Sequence, residues 1–228
     1  MNGDFSNIKA CVFDAYGTLL DLNSAANSCN DELGDKAGAL SEIWRAKQLQ
    51  YTWLRSLMGK HADFRIVTEN SLDYAMNALG LADNDLRSRL LSFFEVLTPY
   101  PEVKPMLGEL RELGMKTAIL SNGSPDMLKS ATENAGIENL LDMVLSIEDV
   151  GIYKPDPKVY QLAVDRLNIA AENICFVSAN GWDAAGGAAF GFQVAWINRT
   201  GAPSEHLEFK PKVELKDLST LAQIILPV

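Results

Sequence analysis

In the stretch CVFDAYGTLL, residues 11–20, an apolar run ends in Asp14, and Thr18 follows four places later. An aspartate at the mouth of a buried strand can be a metal ligand, a nucleophile or a turn residue. Other segments repeat the arrangement. KTAILS ends in Ser121, with Asn122 and Gly123 beyond it. Lys154 sits in the loop GIYKPDP after the run DMVLS, and ICFVS ends in Ser178, followed by Asn180 and Asp183. Taken singly, Ser121 or Asn180 reads as a turn-capping residue. Their convergence is harder to assign to turns. A buried carboxylate beside a lysine is also expensive unless something uses it.

These groups sit at the ends of short apolar runs that alternate with helical patterns. The strands expected are 8–13, 116–121, 142–146, 174–178 and 193–198. The helices between them are Pro101–Leu113, Pro125–Asn134, Pro157–Leu167 and Trp182–Phe190. Three begin with proline, which suits a first helical turn because its missing N–H has no partner there anyway. Such alternation predicts an α/β fold, a doubly wound parallel sheet covered on both faces, with its site at the carboxyl ends of the strands. Residues 20–97 break the rhythm with helical stretches and no convincing strand. Ile43, Ala46, Leu49, Trp53 and Leu57 fall at spacings of three and four, an amphipathic face. The expected division is a core of 1–19 and 98–228 with a helical cap subdomain of 20–97 inserted after the first strand.

Composition excludes several classes. The chain has 228 residues, 47% hydrophobic and 22% charged, and a formal net charge of −10. That balance argues against a nucleic-acid partner but tolerates a small anionic substrate near local cations. The opening MNGDFSNIKA lacks a signal-peptide pattern, and no apolar run reaches the roughly 18 residues of a membrane span. The cysteines Cys11, Cys29 and Cys175 have no CxxC spacing, and Cys11 and Cys175 lie in apolar strand-like runs, which suggests buried free thiols in a reducing cytoplasm. His61 and His206 lie outside every motif.

The set FDAYGTL, LSNG, YKPDPKVY and SANGWDAAGGAAFGF, with the segment WRAKQLQYTWLR, resembles the haloacid dehalogenase superfamily, specifically its L-2-haloacid dehalogenase branch. The likeness covers nearly the whole chain and implies a Rossmann-like core with a cap. Most members of that superfamily are Mg²⁺-dependent phosphotransferases, with a second aspartate two places after the nucleophile and a paired acidic motif after the fourth core strand. Here Tyr16 and Ala179 stand at two of those positions. A multiply charged phosphate ester resists a carboxylate nucleophile without a metal. The resemblance therefore implies a site without metal or other cofactor, in which the Lys154 ammonium takes the cation's place.

What the likeness implies for each residue follows from that. Asp14 attacks C2 of a small 2-haloalkanoate, and water hydrolyses the aspartyl ester, so an L-substrate gives a D-2-hydroxy acid. Lys154 keeps Asp14 ionised. Thr18 and Ser178 orient the Asp14 carboxylate, while Asn180 and Asp183 position Lys154 and the hydrolytic water. Tyr160 supplies a further hydroxyl. Ser121 and the backbone N–H groups of Ala15 and Tyr16 hold the substrate carboxylate. Arg45 accepts the halide with help from Asn122, and Tyr16, Leu49, Phe64 and Trp182 form an apolar wall. Ala46 is small for a pocket edge. Without the likeness, Arg45 reads as a solvated helix arginine, Trp182 and Phe64 as core, and Asp183 as a helix cap. A homodimer through the cap helix bearing Trp44, Tyr51 and Trp53 is also expected. Two alternatives stay open: a Mg²⁺-dependent phosphatase of a small metabolite, and a catalytically silent binding module.

Overall fold

The apolar runs assemble into one parallel sheet. The computed structural model describes residues 5–22, 33–93 and 96–225, so Cys29 lies outside the described residues. Strands β1 (Ala10–Phe13), β2 (Lys116–Ser121), β3 (Met143–Ser146), β4 (Ile174–Ser178), β5 (Gln193–Ile197) and β6 (Val213–Leu215) pair in the order β3-β2-β1-β4-β5-β6. Every pairing is parallel. β1 is central and all four of its side chains are buried, which is why it reads as a continuous apolar run rather than an alternating one. The winding reverses between β1 and β4, which opens a crevice at their carboxyl ends. Asp14 follows one of these strands and Ser178 closes the other. In the sheet interior Cys11 and Cys175 are register partners and buried free thiols.

The helices are α1 (Lys36–Leu57), α2 (Phe64–Ala78), α3 (Asn84–Phe93), α4 (Val103–Glu112), α5 (Pro125–Ala135), α6 (Pro157–Leu167), α7 (Gly181–Phe190) and α8 (Leu221–Ile224). Pro125 and Pro157 open α5 and α6 as expected. Pro101 does not open α4. It lies in a preceding turn, closed by the Val103 N–H on the Tyr100 carbonyl at 3.0 Å. β6 and α8 are absent from the sequence expectation. β6 is a three-residue edge strand with no fully buried side chain, and α8 has only four residues, so neither carries a periodic signal.

Helices α1 to α3 share a small core of their own, with Leu33, Leu40, Leu72, Ala75, Met76, Leu86 and Leu90. They connect to the sheet through two adjacent chain segments. The Asp21 N–H donates to the Thr98 carbonyl at 2.8 Å, and the Tyr100 N–H to the Leu19 carbonyl at 3.0 Å. The expected apolar face of α1 is not its inner face. Ala46 is exposed and Leu57 is 85% exposed, whereas Leu40, Gln48 and Thr52 are buried. The inner stripe runs at intervals of four and is polar in its second half, where Gln48 bonds Thr68 on α2 and Thr52 bonds the Leu49 carbonyl.

Candidate active site

The turn after β1 is set by backbone bonds. The Asp14 N–H donates to the Val177 carbonyl at 2.9 Å, and the Ala15 carbonyl accepts from Leu19 and Leu20, both at 3.0 Å. Gly17 at φ +85° permits this tight reversal. Ala15 is fully buried, and its backbone shapes the turn. The turn returns Thr18 to the carboxylate: Thr18 Oγ1 donates to Asp14 Oδ2 at 3.0 Å and accepts the Ala179 N–H at 2.8 Å.

Two further segments close around Asp14. Lys154 Nζ lies 3.1 Å from Asp14 Oδ1 and 2.8 Å from Asp183 Oδ2, with Lys154 only 1% exposed. Asn180 Nδ2 donates to Asp14 Oδ2 at 2.9 Å. Tyr160 OH donates to Asp183 Oδ1 at 2.8 Å. Ser178 Oγ donates to Asp183 Oδ2 at 3.0 Å, not to Asp14 as the resemblance implied. The first turn of α7 brings Asp183 back beneath the end of β4, within reach of that hydroxyl. Asn180 likewise touches Asp14 rather than Lys154, while Asp183 does hold Lys154.

The electrostatics follow from one ammonium shared by two buried acids. Burial disfavours the Lys154 cation, but Asp14 and Asp183 outweigh it and raise its pKa. Burial pushes the Asp183 carboxyl up, opposed by Lys154 and aided by the Asp14 charge. Burial, then Asp183, pushes the Tyr160 phenol well up, so its hydroxyl remains a donor. Burial and the Asp14 charge likewise raise Tyr16.

A model of haloacid dehalogenase-like hydrolases matches residues 8–191. The chain belongs to that family. At 45% identity over 220 residues it is similar to (S)-2-haloacid dehalogenase 1 of Pseudomonas sp. (strain CBS-3), covering 96% of this chain and 97% of that protein. Its fold is similar to a dehalogenase crystal structure with an intermediate complex, at TM-score 0.95, 42% identity, and coverage of 97% of this chain and 99% of the other. A third likeness is to L-2-haloacid dehalogenase from Xanthobacter autotrophicus with chloropropionic acid covalently bound. There the TM-score is 0.88, with 36% identity and coverage of 96% and 98%.

Magnesium, the usual ion of the wider superfamily, does not fit this haloacid dehalogenase-like site. An ammonium already bridges the two acids at hydrogen-bond distance, and a phenol ring and a methyl group occupy positions 16 and 179. Among the described residues no group of three or more His, Cys, Asp or Glu could hold a metal ion.

The remaining expected residues divide into sets. Arg45, half-buried on α1, donates from Nη2 to Asn180 Oδ1 at 3.1 Å, and burial lowers its pKa against the pull of Asp14 and Asp183. Ser121 is buried, with Oγ accepting the Gly123 N–H at 3.1 Å. Asn122 Oδ1 accepts the Lys154 N–H at 3.1 Å. Tyr16 stacks on Phe64 with centroids 6.1 Å apart and lies directly over Gly123, where a Cβ would come within 2.9 Å of its ring. Trp182 forms a second pair edge-on with Trp53 at 5.5 Å and lines an outward groove with Pro155, Pro157 and Phe209. Leu49 is half-buried on α1.

Two residues that the sequence did not single out support the nucleophile. Arg199, just after β5, donates from Nη2 to the Thr18 carbonyl at 3.1 Å, pairs with Glu102 at 2.6 Å, and stacks on Tyr100 at 3.6 Å. Its signal was a charge directly at the end of an apolar strand. Tyr153, 1% exposed, donates its hydroxyl to the Ala62 carbonyl and so ties the α1–α2 loop to the Lys154 loop.

Proposed function

We propose that the chain is an (S)-2-haloacid dehalogenase that hydrolyses L-2-haloalkanoic acids to D-2-hydroxy acids without a metal ion. The observation that carries this is the bridging position of Lys154 between Asp14 and Asp183, with Tyr16 where a metal enzyme needs its second acid. Such a carboxylate is fixed on one side by Thr18 and Asn180 and balanced on the other by an ammonium. It suits attack on a singly charged substrate with a leaving group on sp³ carbon.

In the proposed sequence, an Asp14 oxygen forms a bond to C2 as the carbon–halogen bond breaks from the opposite face, and the electron pair leaves with the halide. Arg45, with Asn122, receives the halide. Ser121 and the N–H groups of Ala15 and Tyr16 hold the substrate carboxylate. Water then adds to the carbonyl carbon of the ester and the bond from that carbon to the oxygen on C2 breaks; one water proton goes to the departing oxygen, the hydroxy acid leaves, and the other proton passes to solvent as the Asp14 carboxylate is restored. Asp183 anchors Lys154, while Ser178 and Tyr160 anchor Asp183. Tyr16, Phe64, Leu49 and Trp182 limit water, which strengthens the remaining charges. Residues 20–97 act as the cap on a core of 1–19 and 98–228.

Two further points complete the proposal. Leu54 and Leu57 on the outside of α1, and Met58 just after it, are 43%, 85% and 61% exposed, which favours association of two copies through this helix. Of the expected anchors, Trp44 and Tyr51 pack inward instead, and Trp53 packs edge-on against Trp182. Buried free thiols at Cys11 and Cys175 fit a reducing cytoplasm, and among the described residues no helix is long and apolar enough to cross a membrane.

The test is incubation with L-2-chloropropionate in EDTA. Stoichiometric chloride and D-lactate are expected. Phosphate release from phosphorylated metabolites that needs added Mg²⁺, without chloride, would sink the proposal.

A further inference from the structure

Gln48 lies on the inner stripe of α1, only 1% exposed, and has no role in the sequence of steps above. Its Oε1 accepts from Arg45 Nη1 at 2.8 Å, and its Nε2 donates to Thr68 Oγ1 at 2.8 Å. A guanidinium offers only donors, so Arg45 dictates which end of the amide faces it and leaves Nε2 for Thr68. Thr68 is buried on α2, where its carbonyl accepts from Trp44 Nε1 at 3.0 Å and from Ser71 Oγ at 2.9 Å. The relay from Arg45 thus ends on a packed helix. The other terminal nitrogen of Arg45 meets Asn180 Oδ1. Both of these acceptors are neutral amides.

That neutrality matters for the charge balance. Asp14 and Asp183 carry two negative charges, and Lys154 and Arg45 two positive ones. Turnover moves one negative charge from Asp14 to the departing halide. A carboxylate in contact with Arg45 would occupy the same cation and repel the halide as it forms, whereas an amide orients the guanidinium without neutralising it.

We propose that Gln48 is a positioning residue. It fixes Arg45 through an uncharged acceptor and thereby keeps the guanidinium's charge for the leaving halide. This rests on the dehalogenase reading, but bromide binding tests it separately.

Bromide is titrated into substrate-free protein, with quenching of indole fluorescence as the readout, for the wild type and three variants. Gln48→Glu keeps the shape of the side chain and adds a charge. Its bromide affinity and kcat should fall by about tenfold or more at neutral pH and recover as the introduced carboxylate protonates. Gln48→Met removes the acceptor and keeps the bulk. Its kcat should fall about 10- to 100-fold with KM changed by less than about threefold. Thr68→Val loosens the relay one bond further out and should give a smaller loss of kcat. Melting temperatures serve as the fold control.

Wild-type bromide affinity and kcat in Gln48→Glu, or unchanged kcat in Gln48→Met, would overturn the proposal. If Gln48→Met is too unstable to assay, the pH-dependent recovery of Gln48→Glu decides alone, and a pH-independent loss counts against the proposal. If wild-type protein releases no halide from L-2-chloropropionate, the dehalogenase reading fails. Bromide titration of Gln48→Glu then still decides whether Gln48 controls the charge at Arg45.

Discussion

Arg45 and Asn180 meet between α1 and the first turn of α7, with Nη2 3.1 Å from Oδ1. Because Asn180 Nδ2 donates to Asp14, one amide joins the helical segment to the nucleophile and is oriented at both ends. Asn180→Ala should lower kcat by about 10- to 100-fold, the worth of a hydrogen bond to a charged group. Asn180→Asp should do worse, since a carboxylate cannot donate to Asp14 and sets a like charge beside it. Chloride release over a single turnover compares them; equal activity of Asn180→Asp and wild type would remove Asn180 from the site.

Attack by Asp14 itself predicts where solvent oxygen goes. With enzyme in excess over substrate in oxygen-18 water, the label should enter the Asp14-bearing peptide and not the product. Label found first in the hydroxy acid would mean that water attacks C2 directly. Asp14→Ala should abolish turnover.

Lys154→Met leaves two buried carboxylates without their shared cation. Breaking a buried pair in this way typically costs about 3–5 kcal/mol, so a large drop in melting temperature is expected along with loss of chloride release. Stability close to wild type would show that Lys154 contributes little to holding Asp14 and Asp183 together.

The raised Lys154 pKa fixes the sign of the alkaline response. Its ammonium persists beyond the ordinary lysine value of about 10.4. The stability it contributes is therefore complete below that value and is lost only as pH rises through the higher folded value. Tyr160 is also shifted upward. The fall of kcat on the alkaline side should therefore have its midpoint above pH about 10. A midpoint near neutrality would contradict the bridging ammonium.

Gly186 lets α7 approach α6 closely. A Cβ there would lie 2.8 Å from Pro155 Cβ and collide with the Tyr160 hydroxyl. Gly186→Ala should displace Tyr160 from Asp183 and cost about 1–3 kcal/mol, the usual range for overpacking, read as a lower urea midpoint together with reduced kcat. A fully active, fully stable variant would show that Tyr160 is dispensable there.

Strand-end chemistry was legible because it depends on chain position alone. An acid or a hydroxyl at the end of an apolar run must emerge at one edge of a parallel sheet, as Asp14 and Ser178 do, and the loop and helix that follow β3 and β4 bring Lys154 and Asp183 to the same edge. Their partners were less legible. Whether Ser178 meets Asp14 or Asp183 depends on how the first turn of α7 is seated, which no local pattern encodes. The inner face of α1 was misjudged because periodicity counts apolar residues. Here Gln48 and Thr52 are buried along with Leu40, Gln48 bonded to Thr68 on α2 and Thr52 to the Leu49 carbonyl of its own helix. Arg199 escaped because its targets, Thr18 and Glu102, lie far away in sequence.

The seat of the Tyr16 ring on Gly123 bears on how far this chain stands from a metal-dependent relative. Exchanging the phenol for an acid would leave a ring-sized void above the glycine, with an ammonium still occupying the cation's berth and a methyl group where the third acid belongs. A switch of chemistry would thus need several coordinated replacements, and the intermediates would be poor catalysts of either reaction.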